Sequence, residues 1–71
     1  MPTPVPKKVL EGLEAVRRSG RTNMLDRNAV IAIAMEMGFV DAAFWADEHR
    51  REYAQGIFQG FVEQEPGIDN T

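Results

Sequence analysis

The sequence predicts an all-α domain of three helices, four if the third breaks at a charged hexad, that assembles with copies of itself. Three observations carry this. Apolar residues recur at helical spacing from Val9 onward, glycines punctuate the ends of the periodic stretches, and residues 29–35 are apolar without a break. Such a run has no polar face to turn to water, and a helix apolar nearly all round is normally buried on every side. Seventy-one residues are too few to surround it.

The same arithmetic limits what else can hold the chain together. Small scaffolds add disulfides, a metal or oligomerisation. Cysteine is absent and His49 is the lone histidine, so a disulfide and a closed zinc site are excluded within one chain. No apolar run approaches the roughly 18 residues of a membrane span, and no signal-peptide pattern opens the chain, so the expected location is cytoplasmic. Charge is uneven. Residues 1–27 hold six basic and three acidic groups, a net +3, and residues 28–71 hold two and eight, a net −6. That polarity suits subunits lying head against tail and argues against nucleic acid as the main partner.

Residues 1–6 carry prolines at positions 2, 4 and 6 and are expected as an extended arm outside the helices. The single helical domain is expected over residues 7–61, with a polar, acidic tail over 62–71. In the first helix, about Lys7 to Ser19, Val9, Leu10, Leu13 and Val16 form the apolar stripe. Glu14 and Arg18 are spaced to pair, and Gly20 stands at the C-terminal position.

Asp26 caps the second helix, with Leu25 placed to staple onto Val30, and Gly38 ends it. Asp41 repeats the cap for the third helix, with Val40 and Trp45 at staple positions. That helix is expected to run unbroken to Gly60, because Ala42, Trp45, Ala46, His49, Tyr53 and Ile57 keep one spacing through Asp47–Glu52. Gly56 and Gly60 mark places of close approach. The surface expected to meet another copy comprises Val30, Ile31, Ile33, Met35, Met37, Phe44, Ile57 and Phe58.

Three blocks, VLEGLEAVRRSGRTNMLD (9–26), MGFVDAAFWADEHRREY (37–53) and GIFQGF (56–61), resemble a family of very small bacterial and phage proteins grouped as a domain of unknown function. Its hallmarks are a Thr-Asn-Met-[Leu/Phe]-Asp turn and a Glu-His-[Arg/Lys]-[Arg/Lys]-Glu-Tyr segment, present here at residues 22–26 and 48–53. The resemblance implies a phage or mobile-element setting and carries no activity, cofactor or catalytic residue.

Two stretches are candidate ligand sites. Arg18, Arg21, Thr22, Asn23 and Arg27 flank the entrance of the second helix, where free N–H groups favour an anion such as a nucleotide signal. The plainer reading is that Thr22, Asn23 and Asp26 build the turn while the arginines are solvated or ion-paired. Trp45, His49 and Tyr53, four residues apart, could stack a base, although a stripe at that spacing is more often core.

A third stretch, Ile33-Ala34-x-Glu36-x-Gly38-Phe39-x-Asp41 with Arg50 and Arg51 beyond, also resembles the second motif of arabinose-regulator-type DNA-binding domains. Its reading residues would be Ala42, Ala43, Phe44, Asp47 and Glu48, apolar or anionic, so DNA is a poor partner. Ser19 is the lone serine, and no phosphate loop, metal cluster or nucleophile elbow is present.

The expected function is therefore non-enzymatic. It is a small accessory protein acting by binding, in counter-defence, on an anionic nucleotide or a host defence protein. The alternatives are a DNA-binding regulator and a virion-associated component.

Overall fold

The computed structural model describes residues 1–64: four helices and a two-stranded parallel sheet. In chain order these are β1 (Thr3–Val5), α1 (Lys7–Ser19), α2 (Arg27–Glu36), α3 (Val40–Glu48), α4 (Arg50–Gln59) and β2 (Phe61–Glu63). Residues 65–71 of the expected polar, acidic tail lie outside the described residues.

The first helix has the expected bounds. Val9, Leu13 and Val16 are buried, Leu10 is half-buried, and Gly20 closes the helix at φ 66°. Glu14 pairs with Arg17 at 2.5 Å rather than with Arg18, one position nearer on the same helix face. The turn into α2 is built from its own side chains. Asn23 Oδ1 accepts from the Leu25 N–H at 2.9 Å, and Asp26 Oδ1 caps α2 by accepting from the Ala29 N–H at 3.2 Å. Leu25 does not staple inward onto Val30; it is exposed.

The second helix ends in a Schellman turn. Phe39 N–H bonds to Ala34 C=O and Gly38 N–H to Met35 C=O, with Gly38 at φ 89°. Asp41 is not the cap of α3. Phe39 holds that position without a side-chain bond, and Asp41 lies inside the first turn, where its charge favours the helix dipole.

The expected continuous third helix breaks at His49, whose φ of −119° and ψ of 60° leave helical geometry, so α3 and α4 are separate. The His49 ring compensates locally: its Nδ1–H donates to the Trp45 carbonyl at 3.0 Å, while the His49 N–H serves the same oxygen at 2.9 Å. The third helix therefore finishes inside the charged hexad, and the four-helix alternative is the one realised.

The proline arm is a strand, not a free arm. Thr3 N–H bonds to Gly60 C=O and Gln64 N–H to Val5 C=O, in the register Thr3↔Phe61, Pro4↔Val62 and Val5↔Glu63. Alternate prolines permit this, because Pro4, which has no N–H, faces the outer edge while Thr3 and Val5 serve the ladder. Thr3 and Val5 also bury their side chains, and Pro4 does not. The helical domain consequently ends at Gln59, and Val62 and Glu63 belong to β2 rather than to a tail.

The core joins Val5, Val9, Leu13, Val16, Val30, Ala34, Ala42, Ala43, Ala46 and Tyr53. Four alanines in that set mean that helices approach closely instead of being spaced by large side chains. Gly12 marks the closest approach of two helices: a Cβ there would overlap the Ala42 Cβ and stand 2.9 Å from the Phe39 Cβ. Of the apolar run in α2, only Val30 and Ala34 are buried.

Candidate functional site

The arginines around the α2 entrance are largely committed to the fold. Arg27 Nη1 donates to the Ala46 carbonyl at 3.0 Å and lies 4.0 Å from the Asp47 carboxylate, tying α2 to the end of α3. Arg21 pairs with Glu36, and Arg17 with Glu14. Arg18 is exposed and has no ion pair among the described residues. Thr22 is half-buried, and Asn23 is occupied by its turn. These residues share a region but do not converge on one open anion site.

The aromatic series is divided by the helix break. Trp45 and His49 stack at 5.0 Å with rings 13° apart, whereas Tyr53 lies on α4 and is buried. What gathers them is Phe61 of β2, with ring centroids 6.0 Å from Trp45 and 5.9 Å from Tyr53. The Tyr53 hydroxyl donates to the Met24 carbonyl at 2.5 Å, pinning α4 to the turn before α2. Burial pushes its pKa up to about 12; the Arg27 charge opposes the shift and Asp26 adds to it. Tyr53 is thus a structural pin, and the aromatic face points largely into the protein.

The residues expected to meet another copy divide in the same way. Val30 is fully buried within its own chain, so it has no surface to offer. Ile31, Ile33 and Ile57 are half-buried, and Met35, Met37, Phe44 and Phe58 are exposed. Phe58, at 82% exposure, is the most exposed aromatic side chain among the described residues.

Around Phe58 lies a shallow groove that sequence reasoning did not assemble. Its walls are Leu25, Ala54, Ile57 and Phe58, with Tyr53 at its base and Arg27 and Arg50 at its rim. On α4, Arg50, Ala54, Ile57 and Phe58 fall on one face at 100° per residue. Leu25 comes from the turn that Asn23, Asp26 and the Tyr53–Met24 bond hold in place. Two of its walls, Ile57 and Phe58, belong to the surface that the sequence assigns to another copy, whereas Leu25, a large apolar residue in a polar turn, reads there as a staple.

The groove volume is about 240 Å³. Small-molecule sites usually run from about 300 to 1,000 Å³. The space suits one or two inserted side chains, as at the centre of a protein interface. Both charged residues of its lining are arginines, so an acidic partner surface would be favoured over a basic one.

The α2–turn–α3 unit has helix-turn-helix connectivity: two helices joined through Met37-Gly38-Phe39. In the position of a reading helix, α3 exposes Val40, Asp41, Phe44, Asp47 and Glu48. That surface repels phosphate. Among the described residues no cluster of His, Asp or Glu could hold a metal, and no helix is long and apolar enough to cross a membrane.

No curated protein and no solved structure matches the chain. A family model does, the domain of unknown function DUF5049, over residues 6–61. The match takes in all four helices and the first residue of β2, and leaves β1 outside. With most of its length covered, the chain belongs to the DUF5049 family.

Proposed function

We propose that this protein is a non-enzymatic accessory protein of phage or mobile-element origin that acts in the host cytoplasm by binding other proteins, in counter-defence. The observation that carries the binding reading is Phe58, 82% exposed beside Leu25 at 62%, on a groove rimmed by two arginines. Leaving two large apolar side chains in water forgoes about 1.5–3 kcal/mol each, a cost that a partner surface recovers. Aromatic residues and arginine are also the types that dominate interface energetics. A protein partner fits better than a nucleotide, because Arg17, Arg21 and Arg27 already have internal partners.

Expression of the chain in bacteria carrying a panel of defence systems tests the reading. The wild type is expected to restore plating of a restricted phage against at least one system, and a Leu25→Asp, Phe58→Asp variant is not. No restoration across the panel, or full restoration by the variant, overturns it. Titration calorimetry with cyclic and linear nucleotides is expected to give no heat. Heat that disappears in an Arg21→Ala, Arg27→Ala variant would move the reading to a nucleotide ligand.

A further inference from the structure

We infer that the Leu25–Phe58 groove is occupied, in solution, by the outer face of α3 from a second copy of the chain. This rests on the groove being a protein-binding site and names a second copy as its resting occupant, which a host protein would have to displace. At 100° per residue, Asp47, Val40, Phe44, Glu48 and Asp41 follow one another around about a third of α3. The opposite side holds the buried Ala42, Ala43 and Ala46. That outer face is an amphipathic helix surface with two apolar anchors four residues apart, Val40 at 44% and Phe44 at 53% exposure. Three carboxylates flank the anchors, and α3 carries no basic residue.

The two surfaces complement each other in kind and in charge. One is an apolar hollow with arginines at its rim, sized for one or two side chains; the other is an apolar pair ringed by carboxylates. Anchors at i and i+4 are how an amphipathic helix engages a groove. Arg50 is the freer cation of the rim, since Arg27 is bonded to the Ala46 carbonyl and stands near Asp47 of its own chain. Lys7 and Lys8 stand with Phe44, Asp41 and Glu48 along a neighbouring groove and offset those two carboxylates on that side.

The hollow and the anchors belong to different elements. A two-fold axis that pairs both reciprocally closes a dimer, and any other rotation carries the contact on head to tail into a ring or a filament. The lopsided charge of the chain, net +3 before residue 28 and −6 after it, acts in the same sense.

Sedimentation velocity on the full chain tests this. The wild type is expected to form species larger than a monomer as concentration rises. Phe58→Asp, which spoils the groove, and Phe44→Asp, which spoils the anchor, should each weaken association by at least about tenfold. Both side chains are exposed, so both variants are expected to fold. An equimolar mixture of the two keeps one intact groove and one intact anchor and should give a 1:1 dimer and nothing larger. As a second pair, Arg50→Glu and Glu48→Arg should each weaken association, and together in one chain should restore it.

A wild type that stays monomeric at every concentration overturns the inference, as does a mixture that fails to dimerise. A monomeric wild type whose Leu25→Asp, Phe58→Asp variant still loses phage protection would sink self-docking alone. Association as expected with no protection by the wild type would sink the counter-defence reading alone.

Discussion

The α1–α3 crossing and the α4–β2 end use the same few residue types to opposite effect. At the crossing, Gly12 brings α1 against Ala42 and Phe39, and the chain itself covers Ala42 fully and Phe39 in part. At the other end, α4 is fastened by the Tyr53 hydroxyl, by Phe61 beneath it and by the strand pair, yet its outer face leaves Phe58 and Ala54 in water. Backbone closeness gives one region its stability. The other keeps apolar surface uncovered and is secured by a few directed contacts, which is what a binding surface on a small domain requires.

If that division holds, substitutions at the crossing damage folding and those on the outer face of α4 do not. The largest effect is expected for Gly12→Ala. The new Cβ meets the Ala42 and Phe39 Cβ atoms, which move only with their backbones, so the helices must part. A cost of roughly 3 kcal/mol follows, with Tm lower by on the order of 15 °C in a calorimetric scan. Gly60→Ala comes next. Gly60 has φ 92° and ψ 159°, a region other residues barely enter, and its carbonyl receives the Thr3 N–H. About 2 kcal/mol should be lost in urea unfolding, and the strand pair with it.

Tyr53→Phe removes the bond to the Met24 carbonyl and is expected to cost about 1 kcal/mol. Tyr53 is the single tyrosine, so its ionisation can be followed directly by ultraviolet absorbance. Its folded pKa of about 12 lies above the unfolded value near 10. The folded state therefore holds the proton more tightly. That contribution to stability is complete below pH 10 and is lost as pH rises from 10 through 12. Tyrosinate forming near pH 10 in the folded protein would show that the pin is solvated. Smallest of all is the effect of Phe58→Asp on unfolding of the isolated subunit, expected to stay within about 0.5 kcal/mol.

The crossing was more legible in the sequence than the α4 end. The stripe of α1 and its closing glycine follow from local periodicity, and the Asn23 and Asp26 devices satisfy backbone groups only a few residues away. Gly12 on the buried side of that stripe is a sign of close approach that the apolar pattern concealed. The α4 end depends on distant pairings. The break at His49 carries no glycine or proline and preserves the spacing of Trp45, His49 and Tyr53, so periodicity runs straight through it. Alternate prolines resemble a polyproline arm until β2, more than fifty residues later, supplies a ladder that needs only Thr3 and Val5. The apolar run of α2 was legible as a surplus of apolar surface, but not in its location. Its alanines let neighbours close in on Val30 and Ala34, while Met35 and Met37 stay exposed.

The contrast between a covered crossing and an uncovered groove is tested most directly by a dilution series followed by NMR from millimolar to micromolar concentration. Resonances of Leu25, Ala54 and Phe58 should shift together with those of Val40 and Phe44, while Gly12, Val16 and Ala42 stay fixed. Spectra that do not change, or shifts confined to Met35 and Met37 at the C-terminal end of α2, would contradict the account.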